Sequence, residues 1–597
     1  MSSDILTTVD SLFINHKFKI PNYQRSYAWE EEQLERFVDD LRHQLKAQVV
    51  GIKKPYFIGT LLLHKQGLQA PCLQVDVVDG QQRLTTILIF IATALSLDVE
   101  LKDGDKINQN YIRHDSLGQK FETIAVDNEC FRASILRIEK YEEAANTLSA
   151  KKLLFAREYF EENITAEEWQ PMVTLLRDAQ VLAYAIDDLA TATQIFEFQN
   201  DRGKKLSNLE AVKSFLMYTM HLNCKTDCEG KLKTMHGHFE AIFRAIEELE
   251  KYPRTPSEDN ILSYFCAGYF NWTGDDYLKP KKLIRSKLLK IESAGAEAIV
   301  NWVSQFVFDL KESYRNIVTI YNRIELHQSF ANLLILNRLA VFWPMLIKSY
   351  RADKSSDKQN FNEICHLLEI FCLQAYGLAN LRSNAGHSHL LGLTKKFLKV
   401  EHGETVTSHD FAWLFIEVKQ MSGWWSIPNR MTENIQSAHF YYNHKQAALY
   451  ILWRYENYLR EGNEGQNKWP KLSWREVVAP NNHAEKLSIE HIAAQNGPLS
   501  KQIVCWDETD KLEEFKEVAL HKLGNLVIDT ISSNSSKKDD EFDDKWRKFS
   551  ESSTYLSQGE LKRFIPEKTN DWALDAIKKR QASLTKFVEK TWCPPLV

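Results

Sequence analysis

What this chain lacks already narrows its class. No apolar run among its 597 residues is long enough to span a bilayer, so no membrane-embedded role is expected. The opening residues, MSSDILTTVDSLF, do not follow the basic-then-apolar order of an export signal. Positive charge is not in excess: 75 Lys and Arg against 80 Asp and Glu leave a formal net charge of −5. Any contact with nucleic acid must then come from local basic surfaces. The nine cysteines are scattered without the framework of a disulfide scaffold, as in a reducing cytoplasm. Their densest group, Cys224 and Cys228 near His221, His236 and His238, matches the spacing of no standard zinc finger; a zinc site and ordinary helical cysteines are its two readings. The Gly-x4-Gly-Lys-Ser/Thr of a P-loop is missing, which disfavours a Walker-type nucleotide site. There is no internal repeat and no long low-complexity run.

What is present is ordinary in bulk, with 44% hydrophobic and 26% charged residues. The length implies about three domains. The pattern predicts an α+β, predominantly helical chain. Residues 1–225 form an α/β domain with a helical insertion, 226–460 a helical bundle, and 461–597 a second mixed domain. Long amphipathic patterns such as HQSFANLLILNRLAVFWPMLIKSY predict the middle of that bundle. Trp424, Trp425, Tyr441 and Tyr442 are expected in its core. GNEGQNKWPKLSW, from Gly462 to Trp474, reads as a polar linker. The segment from Lys279 to Lys290 is locally basic, with Lys281, Lys282, Arg285 and Lys287 between; a grip on a DNA backbone and a solvated helix face both remain open.

Two stretches carry candidate chemistry. In the first, FKIPNYQRSYAW leads into a helix with Leu34, Phe37, Val38 and Leu41 at helical spacing. Further on, a strand (Leu73 to Val78) breaks at Asp79-Gly80, and a helix opens near Arg83. Glycine permits the tight turn, and exposed amides at a helix start make an anion site. Arg25 and Arg83 would add charge-assisted contacts to phosphates, and Asp79 would hold a metal or a water. The alternative is a plain tight turn whose arginine pairs with a nearby acid. A third piece, IFEFQNDRGKKLSNLEAVKSFLM, places Asn200, Arg202 and Lys213 as possible phosphate or nucleic-acid contacts. Its other reading is a helix capped at Ser207 with a solvated Arg and Lys.

The second stretch runs from Leu487 to Lys548. LSIEHIAAQ holds Glu490 beside His491. HKLGNLVIDT then supplies a Gly-Asn turn (Gly524, Asn525) before an apolar run. Asn534 follows nine positions after Asn525, and a Lys/Asp-rich segment with Lys545 reads as helical. Strand, loop, strand, helix is the order a ββα-metal nuclease needs, with a histidine activating water and oxygen ligands holding one hard divalent cation. Glu and Asn suit Mg²⁺ or Mn²⁺ better than zinc. A lone Glu-His pair is usually without chemistry; the ordered set is what raises the reading.

At this point a resemblance is visible. The C-terminal pattern, Glu-His-Ile, Gly-Asn-Leu, Asn and then Phe-x-x-Lys, resembles the HNH-type domain of GmrSD-type modification-dependent (type IV) restriction enzymes. PNYQRSYAW with VVDGQQRLTT is similar to their N-terminal domain, of ParB/sulfiredoxin-like fold, which binds and hydrolyses nucleoside triphosphates. SspE-type proteins, which sense phosphorothioate DNA and nick it, share the layout. The resemblance implies His491 as general base, Glu490 and Asn534 as metal ligands, and Asn525 as the residue that orients the histidine or the loop. Lys545 would face the phosphate. It implies nucleotide binding (GTP, UTP, CTP or ATP) by Gln24, Arg25, Asp79, Gly80, Gln81, Gln82 and Arg83. It also implies a cytoplasmic anti-phage endonuclease acting on double-stranded, modified phage DNA, with a homodimer possible for cutting both strands. Where such domains often have proline, Ala494 stands here. Two other outputs stay open: an NTP-depleting effector, and a DNA sensor without nuclease activity.

Overall fold

The computed structural model describes residues 6–593 apart from 50–54, 98–100, 140–144, 188–206, 271–278, 397–405, 463–468, 479–485, 496–512, 538–541, 552–554 and 566–571. It is predominantly helical with a mixed sheet, the α+β class expected. The chain divides into two compact units. One is Met1–Leu249 with Ser257–Ser263 and Leu278–Arg315; the other is Glu250–Pro256, Tyr264–Tyr277 and Asn316–Val597. No helix among the described residues is long and apolar enough to cross a membrane.

The first unit is built on strands β1 (Leu6–Thr8), β2 (His16–Lys19), β3 (Phe57–Gln69), β4 (Cys72–Asp79), β7 (Phe121–Glu122) and β8 (Gln180–Ile186). A separate small hairpin joins β5 (Arg113–His114) to β6 (Gly118–Gln119). The six-stranded sheet has the order β1-β8-β3-β4-β2-β7. β3 and β4 pair antiparallel; β8 lies parallel to β3, and β2 parallel to β4 and β7. Helix Gln81–Ser96 is apolar on nearly every side and therefore buried nearly throughout, in one core with Leu61, Leu63, Val75 and Val77. Helix Glu31–Val49 buries Leu34, Phe37, Val38 and Leu41, as their spacing predicts. Phe90 packs edge-on to Phe160 and tilted against Trp169 within the same core, with ring centres 5.3 and 5.0 Å away. The predicted cap at Ser207 is present: its hydroxyl accepts from Glu210 N at 3.2 Å and opens helix Asn208–Asn223.

The second unit is mostly helical and carries several buried charges, Glu369 among them. Glu369, on helix Gln359–Phe371, accepts hydrogen bonds from Tyr450 Oη (2.5 Å), Arg454 Nη1 (2.8 Å), Trp592 Nε1 (3.0 Å) and Asn332 Nδ2 (2.9 Å). Burial alone would raise its pKa, but Arg454, then His366, Tyr450 and Trp592, outweigh it and hold it down at about 2. Against this helical body lies a two-stranded antiparallel ladder, β9 (Leu487–His491) with β10 (Leu526–Thr530). Two expectations fail here. Trp425 and Tyr442 are exposed, and Trp424 and Tyr441 only half-buried, because their segments end helices rather than cross the bundle. The end of the supposed linker is docked: Leu472 and Asn457 exchange hydrogen bonds of 2.7 and 3.2 Å, and Trp474 is buried.

Candidate active site

The ladder register sets Glu490 opposite Val527 and His491 opposite Leu526. Both Glu490 and His491 are buried at the end of β9. Beside them the turn Leu523–Asn525 leads into β10, followed by helices Ile531–Lys537 and Phe542–Glu551. The order strand, strand, helix expected from the sequence is therefore present.

The turn is held from behind. Arg580, buried on the closing helix Leu574–Trp592, donates to the carbonyls of Gly524 (3.0 Å) and Leu526 (2.5 Å). Gln581 Oε1 accepts from Gly524 N at 2.7 Å. Glycine is needed at 524 because a Cβ there would stand 2.4 Å from Ile577 O and 2.9 Å from Gln581 N. Asn525 is fully buried. Its Oδ1 accepts from Ala493 N (3.0 Å) and Trp572 Nε1 (2.9 Å), and its Nδ2 donates to Leu520 O (2.8 Å). Of the two duties expected of Asn525, its contacts are with the loop after His491 and not with the imidazole. Ala494, where proline is common in such domains, is buried in that loop.

Lys545 reaches back across the site. Its ammonium meets Glu490 Oε1 at 2.5 Å and His491 O at 2.8 Å, fully buried. It thus neutralises the carboxylate that was expected to bind metal. Asn534 donates from Nδ2 to Ser488 Oγ and Ile489 O, both at 3.0 Å, and its Oδ1 accepts no hydrogen bond from a described residue.

His491 is enclosed by groups that the sequence did not single out. Gln495 Nε2 lies 2.6 Å from Nδ1, and His521 Nδ1 lies 3.1 Å from Nε2. With the amide donating to Nδ1, the ring hydrogen sits on Nε2 and donates to His521. The Tyr441 ring packs edge-on at 4.6 Å, and Tyr442 covers His521 at 4.4 Å. Burial, then His521, Lys545 and Lys445, push the His491 pKa down to about 3. Burial, then His439, lowers that of His521. His491 is therefore a neutral imidazole at neutral pH, with its ring lone pair on Nδ1.

The first unit gathers the other candidates. Gly80 stands at φ 86° between β4 and helix Gln81–Ser96, and a Cβ there would meet Leu61 Cδ2 at 2.2 Å. Asp79 Oδ1 accepts from Gly80 N at 2.7 Å; burial raises its pKa against the pull of Arg83. Gln81 Nε2 donates to Arg25 O (2.8 Å) and Gln82 Nε2 to Ser26 O (2.9 Å), while Gln82 Oε1 accepts from Ala28 N (2.9 Å). Arg83 forks onto the carbonyls of Ile58 and Thr60, both at 2.9 Å, and Arg25 lies 3.8 Å from Glu210. In this arrangement the motif clamps the Tyr23–Trp29 loop and the start of β3. Gln24 Nε2 donates to Val78 O at 2.9 Å, and Lys213 Nζ lies 3.3 Å from Tyr23 O and 3.5 Å from Gln24 Oε1. Burial lowers the Lys213 pKa to about 8. Asn200 and Arg202 lie outside the described residues.

Known families match at both ends. Residues 9–217 match the GmrSD restriction endonuclease N-terminal domain, and residues 425–587 match the GmrSD restriction endonuclease C-terminal domain. The chain is a GmrSD-like type IV restriction enzyme. No curated protein matches it. The Glu490–His491–Lys545 cluster falls within the C-terminal GmrSD domain, and the Gln24–Arg83–Lys213 cluster within the N-terminal one. DNA is the substrate that restriction endonuclease domains imply.

In this GmrSD-like enzyme, sequence reasoning missed His521, Gln495 and Tyr441 at the nuclease end. Only His521 left a local signal, two residues before the Leu-Gly-Asn turn. It also missed His236, which the zinc question had set among cysteines. His236 packs on Tyr23 with ring centres 3.8 Å apart, and Tyr23 Oη, His236 Nδ1 and Gln81 Oε1 are buried with no hydrogen-bond partner among the described residues. Cys228 Sγ is 4.0 Å from His221 Nδ1, and among the described residues no three His, Cys, Asp or Glu side chains gather as a metal site. The basic segment is helix Pro280–Ile291, with Arg285 over the Phe215 ring at 5.1 Å.

Proposed function

We propose that residues 461–597 work as an HNH-type nuclease. In this reading His491 takes a proton from the water that attacks a DNA phosphodiester. The observation that carries the reading is Glu490, the neutral His491 and Lys545 meeting at the end of β9, with Asn534 bonded to Ser488 and Ile489 earlier on the same strand. Nδ1 of His491, where the Gln495 amide now sits, is the acceptor; Nε2–H donating to His521 sets that tautomer. Lys545 holds the Glu490 carboxylate and the backbone of His491 in place, and Asn525 holds the loop that follows.

The donors suit a hard cation: one carboxylate, and one amide oxygen with no hydrogen bond from a described residue. Glu490 and Asn534 would hold Mg²⁺ or Mn²⁺, which when bound would polarise the phosphate and stabilise the leaving oxygen. Residues 1–225 bind a nucleoside triphosphate and sense modified DNA. The support is Lys213 beside a tyrosine and a histidine whose buried polar atoms lack partners among the described residues. Nucleotide turnover then controls cutting by residues 461–597.

The test is cleavage of modified and unmodified phage DNA with Mg²⁺ or Mn²⁺, with and without each triphosphate, by wild type and His491→Ala. Cutting of modified DNA that the substitution abolishes, with triphosphate hydrolysis retained, is the expected result. Cutting of unmodified DNA instead would favour phosphorothioate-type discrimination or a general nuclease. Brisk hydrolysis without any cutting would favour an NTP-depleting effector and end the nuclease reading.

A further inference from the structure

The second unit contains a polar cavity of about 350 Å³ that the chemistry above does not use. Arg338, Asn337, Asn380, Asn443, Lys445 and Gln446 supply its polar lining. No carboxylate lines it among the described residues. Asn337 and Asn380 stand at φ 55° and 56°, left-handed backbone that asparagine tolerates better than most residues, at the points where helix Gln328–Leu336 and the segment Cys372–Leu378 reverse direction. A 17-residue helix, Lys445–Glu461, starts in the cavity wall, and its first turn adds positive potential.

Two cations thus face one concavity without an acid to neutralise them. Neither Arg338 nor Lys445 makes a hydrogen bond or ion pair with another described residue. Such a pair repels itself until an anion arrives, so the empty state favours anion capture. One wall residue of the cavity, Lys445, also approaches the candidate active site. Lys445 Nζ lies 5.2 Å from the Tyr441 ring centre, and that ring lies 4.6 Å from the His491 ring. A strand rises ~3.4 Å per phosphate, so the two sites are separated by a few phosphates at most.

We infer that this cavity seats a backbone phosphate of the bound DNA strand near the bond that His491 addresses, with Arg338 and Lys445 as its clamp and the asparagine amides as donors. A passing phosphodiester fits better than a free nucleotide. Tyr376 is the one aromatic ring in the lining apart from the His444 imidazole; it is buried, and its hydroxyl donates to Ala385 O at 2.6 Å, so no tyrosine face is left to stack a base. The placement near the scissile bond rests on the nuclease reading; the anion seat itself does not.

The experiment measures binding of a fluorescent duplex by anisotropy across a salt series. It uses the full chain carrying His491→Ala so that no DNA is cut. Adding Arg338→Glu is expected to weaken binding at least tenfold and to lower the slope of log affinity against log salt by about one. Arg338→Lys, which keeps the charge, is expected to stay within a few-fold of the parent. Arg338 is exposed and unpartnered, so these changes leave the fold intact. In the His491 background of the wild type, Arg338→Glu is expected to raise KM with kcat held. If affinity and salt slope do not move while cleavage by the wild type proceeds, the inference falls and the nuclease reading stands. If Arg338 controls DNA affinity but no metal or nucleotide elicits cutting, the seat stands and the nuclease reading falls. Unchanged DNA affinity with weakened binding of a free triphosphate would reassign the cavity to a nucleotide and overturn the inference.

Discussion

Replacing Lys545 with methionine would keep most of the side chain's volume and remove its charge. The ammonium is fully buried, and the Glu490 side chain it meets is only 4% exposed, so solvent screens the pair very little. Removing one partner of such a pair leaves a buried carboxylate uncompensated, at a cost of about 3–5 kcal/mol. The carbonyl of His491 loses its donor as well. In a domain of this size each kcal/mol moves the melting transition by about 2–4 °C, so a fall on the order of 10 °C is expected. The double variant Lys545→Met with Glu490→Leu replaces the pair by apolar groups and should recover to within about 1–2 kcal/mol of wild type. Scanning calorimetry on all three proteins, with and without Mg²⁺, measures both effects. A cation that binds Glu490 takes over the lost charge, so Mg²⁺ should raise the melting temperature of the single variant more than that of wild type, by RT ln(1 + [L]/Kd). A single variant that melts within about 2 °C of wild type would refute the ion-pair reasoning. A double variant as unstable as the single one would do the same. No added response to Mg²⁺ in the single variant would remove Glu490 from the proposed metal site.

Other tests address the remaining supports. Gly524→Ala forces the closing helix away from the turn, because the new methyl meets backbone atoms of Ile577 and Gln581; a loss of about 3 kcal/mol or more is expected in denaturant titration, with cleavage lost alongside. Arg83→Ala leaves the carbonyls of Ile58 and Thr60 without their donor, so the first unit should lose about 1–3 kcal/mol. Triphosphate hydrolysis that persists in that variant would mark Arg83 as a clamp and not a phosphate ligand. Glu369 is held at about 2, below its unfolded value, so its contribution is present above pH ~4.5 and is lost as pH falls toward 2. The shift corresponds to roughly 3 kcal/mol, and a Glu369→Gln variant should show a correspondingly flatter acid-unfolding curve. An acid-unfolding curve with unchanged slope would contradict the assignment.

Residues close in sequence settled much on their own. The break of β4 at Asp79-Gly80 was readable because only glycine takes that backbone without strain, and the helix after it because its apolar residues leave no polar face. The Glu490-His491 strand end, the Gly-Asn turn and the following helices were readable for the same kind of reason: local propensity and spacing act over a few residues. What the side chains do once there was decided by partners far along the chain. Arg83 is held by carbonyls 25 and 23 positions away, His491 by His521 30 positions on, and Gly524 by a helix more than fifty residues later. Tyr441 belongs to a segment read as core, and only the packing of helix ends against β9 sets its ring on His491. Spacing reports which face of an element is apolar; it carries no record of which distant donor meets which acceptor. That pairing is chosen by burial, where every polar group must find a partner or leave one for a ligand.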